Sequence, residues 1–134
     1  MAWYLDTSAF MKLVVAEQYG PALRRWATKH SHLVSSDLLR AEALRTARRM
    51  SPEVVVATRA ALDVVAIGAV PSEIYERAAE LDPSILRTLD AIHLAWALAL
   101  GDELEGIVTY DDRLAAAAHI YGVNVVAPGV RSRA

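Results

Sequence analysis

Thr88-Leu89-Asp90-Ala91-Ile92-His93-Leu94-Ala95-Trp96-Ala97-Leu98-Ala99-Leu100 reads as a helix that is apolar on nearly every side. Such a helix belongs deep in a core. Asp90 is the exception. A buried ionised carboxylate is costly unless a cation, a hydrogen-bond donor or a metal meets it. Downstream, the residue at i+3 is His93, and no Lys or Arg stands at i+3 or i+4. A divalent metal, shared with acids from distant parts of the chain, answers the need. The plainer reading makes Thr88 an N-cap and puts Asp90 in the first turn, where a carboxylate favours the helix dipole. Only the other acids tip the balance towards a metal.

Working outward, Ala2-Trp3-Tyr4-Leu5 is a short apolar run suited to a buried first strand. It ends in Asp6-Thr7-Ser8, and a helical pattern follows through Phe10, Leu13 and Val14. A strand that delivers an acid at its C-terminal end fits the rule that open α/β sheets bind ligands outside those ends. Gly20-Pro21 breaks the chain before a helix over Ala22 to Lys29, and Leu33-Val34-Ser35 reads as a second strand. Ser36 or Asp37 can cap a third helix running to Met50, with Leu39, Ala43, Ala47 and Met50 as its apolar stripe. Glu42 lies on the flank of that stripe, and Arg45 and Arg49 lie further round on the same side. An intrahelical Glu42–Arg45 pair is the plainer reading of that spacing.

Ser51-Pro52-Glu53 starts another helix, and Val64-Val65-Ala66-Ile67 reads as a third strand. A helix from Ile74 to Leu81 leads to the Asp90 helix, which Gly101 ends. Ile107-Val108-Thr109-Tyr110 reads as a fourth strand ending in Asp111-Asp112; a helix over Leu114 to Ile120 and a last strand over Val123 to Ala127 complete the series. Strands alternating with helices predict an α/β/α sandwich around a mostly parallel sheet of about five strands. Right-handed crossovers put the strand C-termini on one edge. Asp6, Glu42, Asp90 and Asp111 are therefore expected to converge there.

The length of 134 residues suits one domain spanning 1–134, with a loose tail from about residue 130. The chain has no cysteine, which excludes disulfides and thiolate metal sites. No long uncharged apolar run or signal-like start is seen, so no membrane span is expected and the cytoplasm is the expected compartment. A formal net charge of -2 gives no global reason to expect nucleic acid. Locally, Arg40, Arg45, Arg48 and Arg49 gather, as do Arg24, Arg25 and Lys29, which is compatible with a phosphate-bearing substrate and also with ordinary solvation.

Four acids at one edge need cations to stay ionised together. All-oxygen ligands favour Mg²⁺ or Mn²⁺, ions that suit phosphodiester hydrolysis. Tyr4-Leu5-Asp6-Thr7-Ser8-Ala9, Leu39-Arg40-Ala41-Glu42, Leu89-Asp90-Ala91-Ile92-His93-Leu94-Ala95 and Thr109-Tyr110-Asp111-Asp112-Arg113-Leu114 resemble the acidic motifs of PIN domains, most of all those of VapC toxins. The resemblance extends to Val125-Val126-Ala127-Pro128-Gly129 near the end of the chain. It implies a metal-dependent endoribonuclease, blocked by a VapB-type antitoxin. It also implies a homodimer that meets promoter DNA only through the antitoxin. Carried over by position, Asp6, Glu42, Asp90 and Asp111 match the metal-binding and catalytic acids. Asp112 is a possible fifth ligand, and the doublet leaves open which of the two bonds directly. Thr7, Ser8 and Thr109 match supporting polar positions. RNA as substrate comes only from the resemblance.

Arg45 and Arg49 are the candidates for contact with RNA phosphates or with antitoxin. His93 reads as a hydrogen-bonded core histidine sooner than a metal ligand. His30, His32 and His119 read as solvated, and Trp3, Trp26 and Trp96 as core. Phe10, Met11, Leu13 and Val14 suit either core packing or an antitoxin groove. Two other functions stay open. A small Mg²⁺-dependent phosphatase would want a second acid two residues after Asp6, where Ser8 stands. A catalytically silent PIN-like scaffold would not need all four acids.

Overall fold

The first strand, β1 (Ala2–Leu5), is buried at every residue, as its position in the middle of a sheet requires. The structure is a computed structural model and describes residues 1–30 and 32–130. Beside β1 lie β2 (Leu33–Ser36), β3 (Ala66–Gly68), β4 (Leu104–Val108) and β5 (Val125–Val126). Every pairing is parallel, and the order across the sheet is β3-β2-β1-β4-β5. The expected α/β/α sandwich is borne out. The strand order reverses at β1, so the crevice beyond the ends of β1 and β4 is the topological switch point.

Among the described residues, seven helices cover the two faces of the sheet: α1 (Thr7–Val14), α2 (Gly20–Lys29), α3 (Leu38–Arg48), α4 (Pro52–Leu62), α5 (Ser72–Glu80), α6 (Thr88–Ala99) and α7 (Asp112–Ile120). The two-residue period of β1 divides the core. Trp3 and Leu5 pack with Phe10, Leu23 and Leu39 on the face of α1, α2 and α3. Ala2 and Tyr4 pack with Leu94, Ala97 and Leu114 on the face of α6 and α7. A close approach holds the centre of the sheet. A Cβ built on Gly106 of β4 would lie 2.5 Å from the Trp3 ring and 2.6 Å from the Asn124 carbonyl, so only glycine fits there.

Several boundaries differ from the sequence reading. The third strand begins at Ala66, because Val64 and Val65 belong to the turn closing α4, and Val64 is exposed. The fourth strand is Leu104–Val108, earlier than the run ending at Tyr110. The last strand keeps only Val125–Val126. α2 begins at Gly20 with Pro21 in its first turn, where a missing N–H costs nothing. α5 is displaced by a residue or two, to Ser72–Glu80. α3 ends at Arg48 and Met50 is exposed, so the apolar stripe stops at Ala47. His30 is half-buried and stacked on Trp26 at 4.2 Å between ring centroids, not solvated. Phe10 and Met11 are core, and Leu13 and Val14 pack against it from partly exposed positions. The loose tail lies, from residue 131 onward, outside the described residues. Among those described, no helix is long and apolar enough to cross a membrane.

Candidate active site

Asp6 leaves β1 and becomes the N-cap of α1. Its Oδ1 accepts from the Ala9 N–H at 2.9 Å and from the Ser8 hydroxyl at 2.7 Å. Its Oδ2 accepts from the Thr109 hydroxyl, which stands just beyond β4. Capping and convergence are therefore the same fact here: the residue that starts the helix also points into the switch-point crevice. Burial pushes the Asp6 carboxyl above the usual carboxylate range, against the pull of Thr109, Ala9 and Ser8.

Asp111 mirrors it after β4. It is the N-cap of α7, and its Oδ1 accepts from the N–H groups of Arg113 and Leu114 at 2.8 and 3.1 Å. The Thr109 hydroxyl accepts from the Asp111 N–H at 3.0 Å, so one hydroxyl touches both capping acids.

Glu42 comes from the second turn of α3. Thr7 donates to its Oε1 at 2.8 Å, and His93 Nε2 meets the same oxygen. Neither bond uses Oε2. The other His93 nitrogen, Nδ1, meets the Tyr4 hydroxyl, which donates on to Ser36 at 3.1 Å. A polar chain thus runs from Ser36 through Tyr4 and His93 to Glu42 along the inner face of α6. Burial works to raise the Glu42 carboxyl. The hydrogen bond and charge of His93, with the Thr7 bond, outweigh it and hold the group below its ordinary range. Burial pushes the Tyr4 phenol up strongly, so it stays a neutral hydroxyl.

Asp90 sits in the first turn of α6, and it departs from the sequence reading. Its side chain is 13% exposed, at the rim of the core and not within it. Thr88 is not the cap; it is the first helical residue, after an Arg87 that makes no side-chain cap bond. Arg87 is the cation the sequence reading missed. It lies three residues upstream of Asp90, outside any downstream search. Its Nε donates to Asp90 Oδ2 at 3.0 Å and its Nη2 to Asp111 Oδ2 at 2.9 Å. These two carboxylates hold the guanidinium firmly in its charged form.

Asp6, Thr7, Ser8, Glu42, Arg87, Asp90, His93 and Asp111 line one pocket of about 180 Å³. Roomier hollows exist, such as one of about 460 Å³ among Ile85, Leu86, Ala117 and Ile120, but the smaller one holds Asp6, Glu42, Asp90 and Asp111 together. The structure thus brings the four principal acids to one place. Thr109 stands behind Asp6 and is buried. Asp112 projects from the first turn of α7 as an exposed residue and is not in the lining. Arg45 and Arg49 are exposed on and just after α3, outside the lining.

The closed cage of oxygens expected from the sequence requires a correction. Among the described residues, no three Asp, Glu or His side chains stand close enough to hold a metal ion. Arg87 ties together two of the four carboxylates, Asp90 and Asp111. In chemistry the donors fit a hard divalent ion, four carboxylates with no sulfur.

The sequence profile of the PIN domain matches residues 3–120. The chain belongs to the PIN-domain family. Among its curated relatives, Ribonuclease VapC46 of Mycobacterium tuberculosis is 43% identical over 127 residues, spanning 95% of this chain and 98% of that one. Ribonuclease VapC35 of the same species is 41% identical over 133 residues, spanning 94% and 96%. This PIN domain also superposes on crystal structures. VapC20 of Mycobacterium tuberculosis, described as a toxin cleaving the sarcin-ricin loop, gives a TM-score of 0.72 at 22% identity, with 86% of this chain and 94% of that chain covered. VapBC2 of Rickettsia felis, solved on a DNA fragment of its promoter, gives 0.60 at 16% identity, covering 83% and 88%. Those two likenesses are likenesses of fold.

Proposed function

We propose that this PIN domain is an endoribonuclease of the VapC type, the toxin of a toxin–antitoxin pair, dependent on Mg²⁺ or Mn²⁺. The observation that carries the reading is the pocket at the switch point, where Asp6, Glu42, Asp90 and Asp111 meet. Relatives named ribonucleases over nearly the whole chain supply the substrate class. Asp6, Glu42, Asp90 and Asp111 are the residues that would hold the ion, with Thr7, Ser8 and Thr109 fixing their oxygens. When bound, the ion supplies an activated water and charge stabilisation for the phosphodiester.

The chain's own groups set the geometry. Thr109 and the Ala9 N–H lock the Asp6 carboxylate on both oxygens. His93 and Thr7 hold Glu42 by gripping Oε1, which leaves Oε2 outside both bonds. Arg45 and Arg49, exposed beside α3, attract the RNA backbone or pair with the antitoxin. Asp112 acts from outside the pocket. The partner is a VapB-type antitoxin, the working unit is a homodimer, promoter DNA is met only through the antitoxin, and the compartment is the cytoplasm.

The test is incubation of purified protein with a structured RNA pool, in Mg²⁺ or Mn²⁺ and in EDTA, beside Asp6→Asn. Cleavage that needs the ion and Asp6 supports the reading. RNA left intact by the metal-loaded protein would favour the silent-scaffold alternative and end this one.

A further inference from the structure

We infer that Arg87 is an internal counter-cation: it occupies the acid pocket of the metal-free protein and is displaced when a divalent ion binds. The inference rests on the site reading above and adds a step to it.

The geometry carries the argument. One guanidinium spans Asp90 in the first turn of α6 and Asp111 at the N-cap of α7, at 3.0 and 2.9 Å. Its planar fork suits two carboxylates at once, which a lysine's point charge does not. Nothing in α6 explains the placement. Arg87 sits at the N-terminus of that helix, the end where the dipole disfavours a cation, and caps nothing with its side chain. Only the acids hold it there.

The hold is also weak. The Arg87 side chain is 61% exposed. Ion pairs with so much solvent around them are weak. A divalent ion meeting the same oxygens brings twice the charge and binds them directly. It therefore wins the competition, and the flexible side chain swings out to solvent without moving the backbone. Without metal, Arg87 relieves the repulsion between acids that would otherwise face one another. The pocket is neutralised in part from within and stays assembled for the ion.

The test is calorimetric titration of the full chain with Mn²⁺, comparing wild type, Arg87→Gln and Arg87→Lys. The readout is affinity, independent of cleavage. Arg87→Gln should bind Mn²⁺ roughly tenfold more tightly, since it removes both competing ion pairs. Arg87→Lys should fall between, since Lys keeps the charge and loses the fork. Wild-type binding with equal or weaker binding by both variants would overturn the counter-cation and leave the metal site standing. No Mn²⁺ binding by any of the three would overturn both. Should Arg87→Gln fail to fold, Arg87→Lys alone decides: tighter binding supports the inference, and equal or weaker binding removes it.

Discussion

Thr109 donates its hydroxyl to Asp6 across 103 positions of sequence. The same oxygen accepts the Asp111 N–H at 3.0 Å. The first residue beyond β4 thus sets the acid beyond β1 and the acid two places on, and it is buried while doing so. Thr109→Val keeps the shape and removes both bonds. An unsatisfied buried partner costs about 1–3 kcal/mol. Urea unfolding of the metal-free protein should register that loss. Cleavage should fall further than the loss of folded protein explains, because Asp6 is no longer fixed. A variant as stable and active as wild type would show the hydroxyl to be idle.

The Asp6 carboxyl supplies a pH prediction. Burial raises it in the folded state, so the folded chain holds that proton more tightly than the unfolded one. The associated stability is present below the ordinary Asp value and is lost as pH rises through the raised one, from about pH 4 upward. Glu42 acts in the opposite sense: its lowered carboxyl contributes stability that is lost as pH falls through its folded value. Asp6→Asn removes the first effect only. In EDTA at neutral pH it should melt higher than wild type. The decline above pH 4 should flatten, and cleavage should vanish. Equal melting curves at neutral pH would mean that buried Asp6 carries no such strain.

What was legible in the chain follows from where information is local. Asp6 and Asp111 each follow a short apolar strand and open a helix, so three or four neighbours announce them. Asp90 stands out because everything around it in α6 is apolar. Glu42 is placed by the period of Leu39, Ala43 and Ala47. The rest depends on contacts between distant segments. The short edge strand β3 is paired on one side only, and the Val64-Val65 that seem to announce it close α4 instead. Arg87 looks like an ordinary loop arginine until Asp111 arrives from beyond β4. The role of Tyr4 is equally hidden, since an apolar strand is where a tyrosine is read as mere packing.

The Tyr4–His93–Glu42 chain can be cut at its far end. Tyr4→Phe keeps the ring and removes the hydroxyl that meets His93 Nδ1 and Ser36. His93 then loses one of its two anchors while still touching Glu42. Stability should drop by about 1–3 kcal/mol, as expected for a buried polar group left unpaired. The maximal cleavage rate should fall at temperatures where the variant is fully folded, with KM for RNA little changed, since Tyr4 sits behind the pocket and touches no substrate. An unchanged rate beside a lowered melting point would limit Tyr4 to packing.

Arg45 tests the surface reading of α3. It is exposed and one turn from Glu42, and no side-chain bond joins it to the pocket. If it faces RNA phosphates, its charge contributes through counterion release. Removing one contact lowers the slope of log affinity against log salt by about 0.7 for single-stranded RNA. Arg45→Ala should therefore raise KM at low salt, converge with wild type at high salt, and leave Mn²⁺ affinity unchanged. Arg45 lies outside the pocket lining, so the maximal rate should also stay. Cleavage by Arg45→Ala that tracks wild type at every salt concentration would remove it from the RNA path and leave the antitoxin as its remaining partner.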